Sequence, residues 1–114
     1  MKHEMRLNND PFNMIKSGTK TIEMRLYDEK RRLISEGDII EFINRITKEK
    51  ICAKVLKLHI FNSFNELYKN FDKVLLGYKK EDEANPNDMS KYYSREEQEK
   101  YGVVGIEITL VAHF

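Results

Sequence analysis

The chain has 114 residues, 40% of them hydrophobic and 11% aromatic, with 20 Lys and Arg against 19 Asp and Glu. That length allows a single domain over residues 1–114 and no second one, and the apolar content suffices for one core without staples. A net charge of +1 excludes basic nucleic-acid tails and acidic solvating tails. The lone cysteine, Cys52, excludes an intrachain disulfide and a cysteine-rich zinc cluster.

Met1–Arg6 lacks the apolar core of a signal peptide, and no run nears the roughly 18 apolar residues that span a bilayer. A cytoplasmic protein without membrane attachment is the expectation. The first sixty residues carry 13 basic and 9 acidic side chains and the remainder 7 and 10, so an anion-binding surface is expected on the first half.

In chain order, Glu4–Leu7 reads as a short strand. Asp10 is placed to cap a helix that opens on Pro11 and stops at Gly18, with Phe12 and Ile15 on its apolar side. Thr21–Leu26 alternates polar and apolar residues, the pattern of a half-buried strand. Ile22, Met24 and Leu26 then face inward, and Thr21, Glu23 and Arg25 share a solvated face, with Lys20 at the turn before them. Asp28–Ile34 reads as a connector and Ser35–Asp38 as a tight turn. Ile39–Asn44 and Ile51–Phe61 form a hairpin around Arg45–Lys50, with a bulge near Leu56 where the alternation changes phase.

Ser63 and Glu66 have capping-box spacing and open a helix to about Asn70, with Phe64, Leu67, Tyr68 and Phe71 on its core side. Gly77–Tyr93 is polar and contains Pro86, so a mobile loop without ordered elements is expected. Ser94 and Glu97 repeat the box before a helix that Gly102 ends, and Val103–Val111 is the last strand. Five strands and three short helices, never alternating strand with long helix, predict an α+β fold: a small mixed or antiparallel β-barrel.

The chemistry concentrates at Lys20, Glu23 and Arg25. A lysine and an arginine can hold phosphate oxygens while a carboxylate accepts from a base's amino group. The plain alternative is a cross-strand ion pair on a wet face, contributing under about 1 kcal/mol. Tyr92 and Tyr93, with Met89 and Lys91 beside them, could stack on bases or pack in the core, and the same holds for Tyr27. His3, His59 and His113 lack metal-ligand spacing, no cofactor motif is present, and Cys52 between apolar neighbours reads as a buried, inert thiol.

Gly18-Thr19-Lys20-Thr21-Ile22-Glu23-Met24-Arg25 resembles the hallmark of the ASCH domain family, a glycine-x-lysine-x-x-glutamate-x-arginine segment after a short helix. Glu36-Gly37-Asp38-Ile39-Ile40 and Tyr101-Gly102-Val103-Val104-Gly105-Ile106 resemble its later turn-and-strand and its closing strand. The resemblance implies a PUA-like barrel, named for pseudouridine synthase and archaeosine transglycosylase, with a cleft beside the hallmark strand. It implies an RNA, nucleotide or nucleoside ligand there, on Lys20, Thr21, Glu23, Arg25 and Tyr93. A second reading is a small amidohydrolase acting on acylated cytidine, similar to ASCH proteins whose hallmark reads lysine-x-x-threonine. Glu23 stands at that threonine's place here, and Thr21 is two residues, roughly 7 Å, away, which ranks the hydrolase lower. A third reading is a module that binds a protein partner through Tyr92 and Tyr93.

Overall fold

In a computed structural model, which describes residues 1–111, the five strands are β1 (Lys2–Leu7), β2 (Ile22–Leu26), β3 (Ile39–Asn44), β4 (Lys50–Phe61) and β5 (Val103–Leu110). They form one sheet in the order β1-β3-β4-β5-β2, with β1 and β3 parallel and the other pairs antiparallel. The mixed barrel of the sequence reading is therefore a half-barrel, with β1 and β2 as its two unpaired ends. Three helices, α1 (Asn9–Ser17), α2 (Phe64–Lys69) and α3 (Arg95–Tyr101), accompany it, with 3-10 turns at Arg31–Leu33 and Pro86–Lys91.

Helix α1 begins before the expected Asp10 cap. Asn8 is the extended flanking residue, and the first amide to bond into the helix is that of Phe12, onto the Asn8 carbonyl at 3.1 Å. Pro11 precedes that amide, so its missing N–H is not needed, and Asp10 lies in the first turn, where the helix dipole favours an acid. Gly18 ends α1 in the left-handed conformation, φ 88°. The register of β4 on β5 shifts between Val55 and Lys57, turning Leu56 to solvent and returning Leu58 to the core side. Ser94 and Glu97 form a reciprocal capping box, and Ser63 accepts from the Glu66 amide.

Apolar side chains pack on both faces of the sheet, on the second only at the β2 end. On one, Met5, Phe42, Val55 and Ile106 pack with Phe12 and Ile15 of α1. On the other, at the β2 end, Met24, Leu26 and Val103 pack with Phe64 and Leu67 of α2 and with Met89. The register sets Glu23 opposite Ile106 and Arg25 opposite Val104, so both charged residues project on the face that α1 covers. The expected solvated face of β2 does not exist. Nor is Cys52 buried: Ile51, Ala53 and Val55 take the core positions, and Cys52, opposite Glu41, is half-exposed.

The 77–93 segment departs furthest from expectation, because Pro86–Lys91 is a 3-10 helix whose start is held by the Asn85 side chain accepting from the Asn87 amide at 2.9 Å. Met89 is buried beneath it, and the Tyr78 hydroxyl donates to Asp88 Oδ2 at 2.7 Å while sharing a bond of 2.9 Å with the Tyr68 hydroxyl. Burial, then the Tyr68 and Asp88 bonds, push the Tyr78 hydroxyl far above its ordinary range. Met89, Tyr78 and Tyr93 anchor an otherwise polar run to the core.

Gly105 lies where β5 passes beneath β2 and α2, and a Cβ there would stand 3.1 Å from Ile22 Cγ2 and 3.4 Å from Leu67 Cδ1. Both neighbours are fully buried. Gly105→Val is expected to cost about 1–3 kcal/mol by overpacking, read as a lowered thermal midpoint by circular dichroism; an unchanged midpoint would contradict this packing.

Candidate functional site

Between α1 and β2 the chain makes a turn that is bonded on both sides. The Lys20 amide donates back to the Met14 carbonyl at 3.1 Å, and the Thr21 and Ile22 amides donate to the Leu75 carbonyl at 3.0 and 3.1 Å. The stretch around Leu75–Gly77 is thereby laid across the start of β2. Lys20, carried under it, donates from Nζ to the Leu76 carbonyl at 3.0 Å and meets Glu23 Oε1 at 3.2 Å. Gly77 makes room: its φ is +105°, and a Cβ there would lie 3.1 Å from Lys20 Cδ and 3.3 Å from Nζ.

Arg25 approaches Glu23 from the other side, with Nε at 2.9 Å and Nη2 at 2.8 Å from Oε2. Nη2 also donates to the Arg6 carbonyl of β1 at 3.3 Å, linking the two edge strands of the sheet. Lys20 is 6% exposed and Glu23 4%. Burial works to raise the Glu23 pKa, but Lys20 and Arg25 outweigh it and hold the carboxyl below its ordinary range. Burial likewise works to lower Arg25, and Glu23 followed by Tyr93 reverses that into a rise. The triad is thus one anion held by two cations, with net charge +1 and N–H donors to spare on both cations.

The triad opens into a cavity of about 490 Å³ between β1, the start of α1, β2 and the Pro86–Lys91 turn. Lys20, Glu23, Arg25 and Tyr93 all line it, and Arg6, Arg45 and Lys91 add three further cations. Arg6 and Arg45 were not singled out from the sequence. The parallel pairing sets Leu7 beside Asn44, and the Arg45 amide bonds to the Leu7 carbonyl at 2.9 Å. Asn44, itself buried, accepts from the Ile46 and Thr47 amides and donates to Asn9 Oδ1, fastening the hairpin to α1. Arg45 next to an asparagine in a hairpin was the available signal.

Thr21 does not line this cavity: it lines a neighbouring depression with Ile15, Gly18 and Leu110, which Lys20 also borders. Tyr93 is half-buried, its ring stacked near Phe64 with centroids 6.0 Å apart and planes 18° apart. Burial raises its hydroxyl, against the pull of Arg25 and Arg31. Tyr92 is 63% exposed on the same wall. Tyr27 faces elsewhere, under the Arg32 guanidinium. His3 pairs with Asp38 and His59 with Glu107, each at 2.8 Å, while His113 lies outside the described residues. Among the described residues no three His, Cys, Asp or Glu side chains converge on a metal position, and no helix is long and apolar enough to cross a membrane.

A family model described as ASCH domain matches residues 5–112. Among solved structures, the hypothetical protein PH0355 is 35% identical with a TM-score of 0.82, the match covering 97% of this chain and all of that one. Protein PF0455 from Pyrococcus furiosus is 33% identical with a TM-score of 0.78, over 99% of this chain and all of that one. The ZmASCH protein from Zymomonas mobilis shares the fold at 15% identity, with a TM-score of 0.69 over 95% of this chain and 67% of that one. No curated protein matches the chain.

Glu23→Gln leaves buried Lys20 and half-buried Arg25 without their anion, and a loss of about 3–5 kcal/mol is expected. Because the native carboxyl titrates below the unfolded one, its stabilisation is complete above an unfolded pKa of about 4.3 and disappears as pH falls through the lower native value. Calorimetric melts should therefore hold steady from neutral pH down to that range and then fall, with the fall reduced in Glu23→Gln; identical acid limbs would refute the role of this carboxylate. Gly77→Ala meets both a forbidden φ and the Lys20 stem, and should cost about 1–3 kcal/mol in urea titrations.

Proposed function

Since the chain belongs to the ASCH domain family, we propose that it binds RNA in the β2 cavity, holding one unpaired nucleotide at a time against the triad. The observation that carries this is the joining, in one cavity of about 490 Å³, of buried Lys20 and Glu23 and half-buried Arg25 with Arg6, Arg45 and Lys91. Such a volume lies within the range of small-ligand sites, about 300–1,000 Å³, which suits a nucleotide and is too small for a duplex. Lys20 and Arg25 offer their remaining donors to phosphate or base oxygens. Glu23 accepts from both cations already, so its part is to hold them in place. Exposed Tyr92 supplies a stacking surface worth about 1–3 kcal/mol per base. A net charge of +1 on the chain calls for a short footprint.

The acylated-cytidine hydrolase is not carried further. Its threonine position holds Glu23, already bonded on both sides by cations, and Thr21 lies outside the cavity that Glu23 and Arg25 line.

Fluorescence anisotropy of labelled short RNAs, single- and double-stranded, at low and physiological salt, tests the proposal. Saturable binding of the single strand is expected, with a salt slope of only a few phosphates. Arg45→Ala and Lys91→Ala, both at exposed positions, should each weaken it and reduce the slope by about one while the fold stays intact. Flat traces at both salts would overturn it.

A further inference from the structure

A second cavity, of about 440 Å³, lies at the other end of β2 and uses none of the residues of the first. Its walls include Tyr27, Ile60, Asn62, Arg32, Lys100 and Tyr101. The Tyr27 amide continues the β2–β5 ladder onto the Gly102 carbonyl at 3.0 Å. Tyr27 is two residues beyond Arg25, so it stands on the same side of the chain, roughly 7 Å further along. Ile60 belongs to the same face, since it lies opposite Val104, which lies opposite Arg25.

The groups here are of a particular kind. The Arg32 guanidinium carbon sits 4.3 Å from the centre of the Tyr27 ring, and its Nη2 donates to the Tyr101 carbonyl at 3.1 Å, so the group is held from two directions. Arg32 is exposed, so beyond its contact with the tyrosine this planar cation is open to a base that stacks on it. Lys100 lies beside it with its ammonium 5.1 Å from the Tyr101 ring centre. The one carboxylate at the rim, Glu99, lies 3.5 Å from Arg95 on the exposed side of α3. Ile60, 53% exposed, adds an apolar edge that no part of the described chain covers.

We propose that this second cavity takes a further unpaired nucleotide of the same RNA strand, its base stacked on Arg32 and its phosphate held by Lys100. The inference rests on the first cavity being the RNA site and narrows the ligand to single strands longer than one nucleotide. Bases in a duplex are stacked on one another and cannot reach the Arg32 face.

The test compares adenosine monophosphate, by calorimetry, with a labelled hexa-adenylate, by anisotropy, on the parent protein and on Arg32→Ala, Lys100→Ala and Ile60→Glu. Because Arg32 also touches the Tyr101 carbonyl, Ile60→Glu provides a variant at an exposed position that removes the apolar edge and opposes a phosphate by charge. The expected result is hexamer binding weakened about tenfold by Arg32→Ala and Ile60→Glu, a salt slope reduced by about one in Lys100→Ala, and mononucleotide binding unchanged. Hexamer binding that is equal in all four proteins would overturn the second cavity and leave the first standing. Equal losses for mononucleotide and hexamer would also overturn it, since the two cavities would not then be separate. Failure of the parent to bind either ligand would overturn both readings together.

Discussion

A buried carboxylate is costly unless cations meet it, and Glu23 is met from both sides. Much of the molecule's arrangement around β2 follows from that requirement. Lys20 has to pass beneath Leu76 and Gly77, which brings the segment after α2 over the start of the strand. Arg25 has to lie along β2, and from there its spare donor reaches the Arg6 carbonyl of β1. A half-barrel whose end strands share no backbone ladder is thus joined across its opening by a guanidinium.

Apolar side chains of similar volume would commonly give as much stability as a buried ion triad. They could not supply what this one does: two cations whose positions are set by an anion rather than by water, with donors left over at a cavity. Pre-placed charge of this sort loses little side-chain entropy when a ligand arrives. It also explains how a chain with almost no net charge can present a locally basic wall. Five cations and a single carboxylate line the cavity, while most of the acidic residues lie elsewhere.

The wall comes from four distant parts of the chain: β1, the β3–β4 hairpin, β2 and the Pro86–Lys91 turn. Each is held by a specific bond. Asn44 fastens the hairpin to Asn9, parallel pairing aligns Leu7 with Asn44, and Tyr78 with Met89 pins the polar segment that carries Lys91 and Tyr93. The second cavity is assembled likewise, from the end of β2, the Arg31–Leu33 turn, β4 and α3.

Local patterns in the sequence determined the pieces. Alternation marked β2, the Ser35–Asp38 turn marked the start of β3, the phase change in β4 marked its bulge, serine-x-x-glutamate marked α2 and α3, and Gly18 marked the end of α1. The clustering of Lys20, Glu23 and Arg25 was equally plain, because those residues are neighbours in the chain. Their burial was not, since alternation reports that the two faces of a strand differ and is silent on what covers the polar one. Only the tertiary structure decided that α1 lies over the face of Glu23, that β1 runs parallel to β3 and brings Arg6 to Arg45, and that Thr21 turns away from the cavity. Each depends on which distant segment becomes a neighbour, and that choice is made by the sum of packing over the whole sheet, which no single stretch of sequence contains.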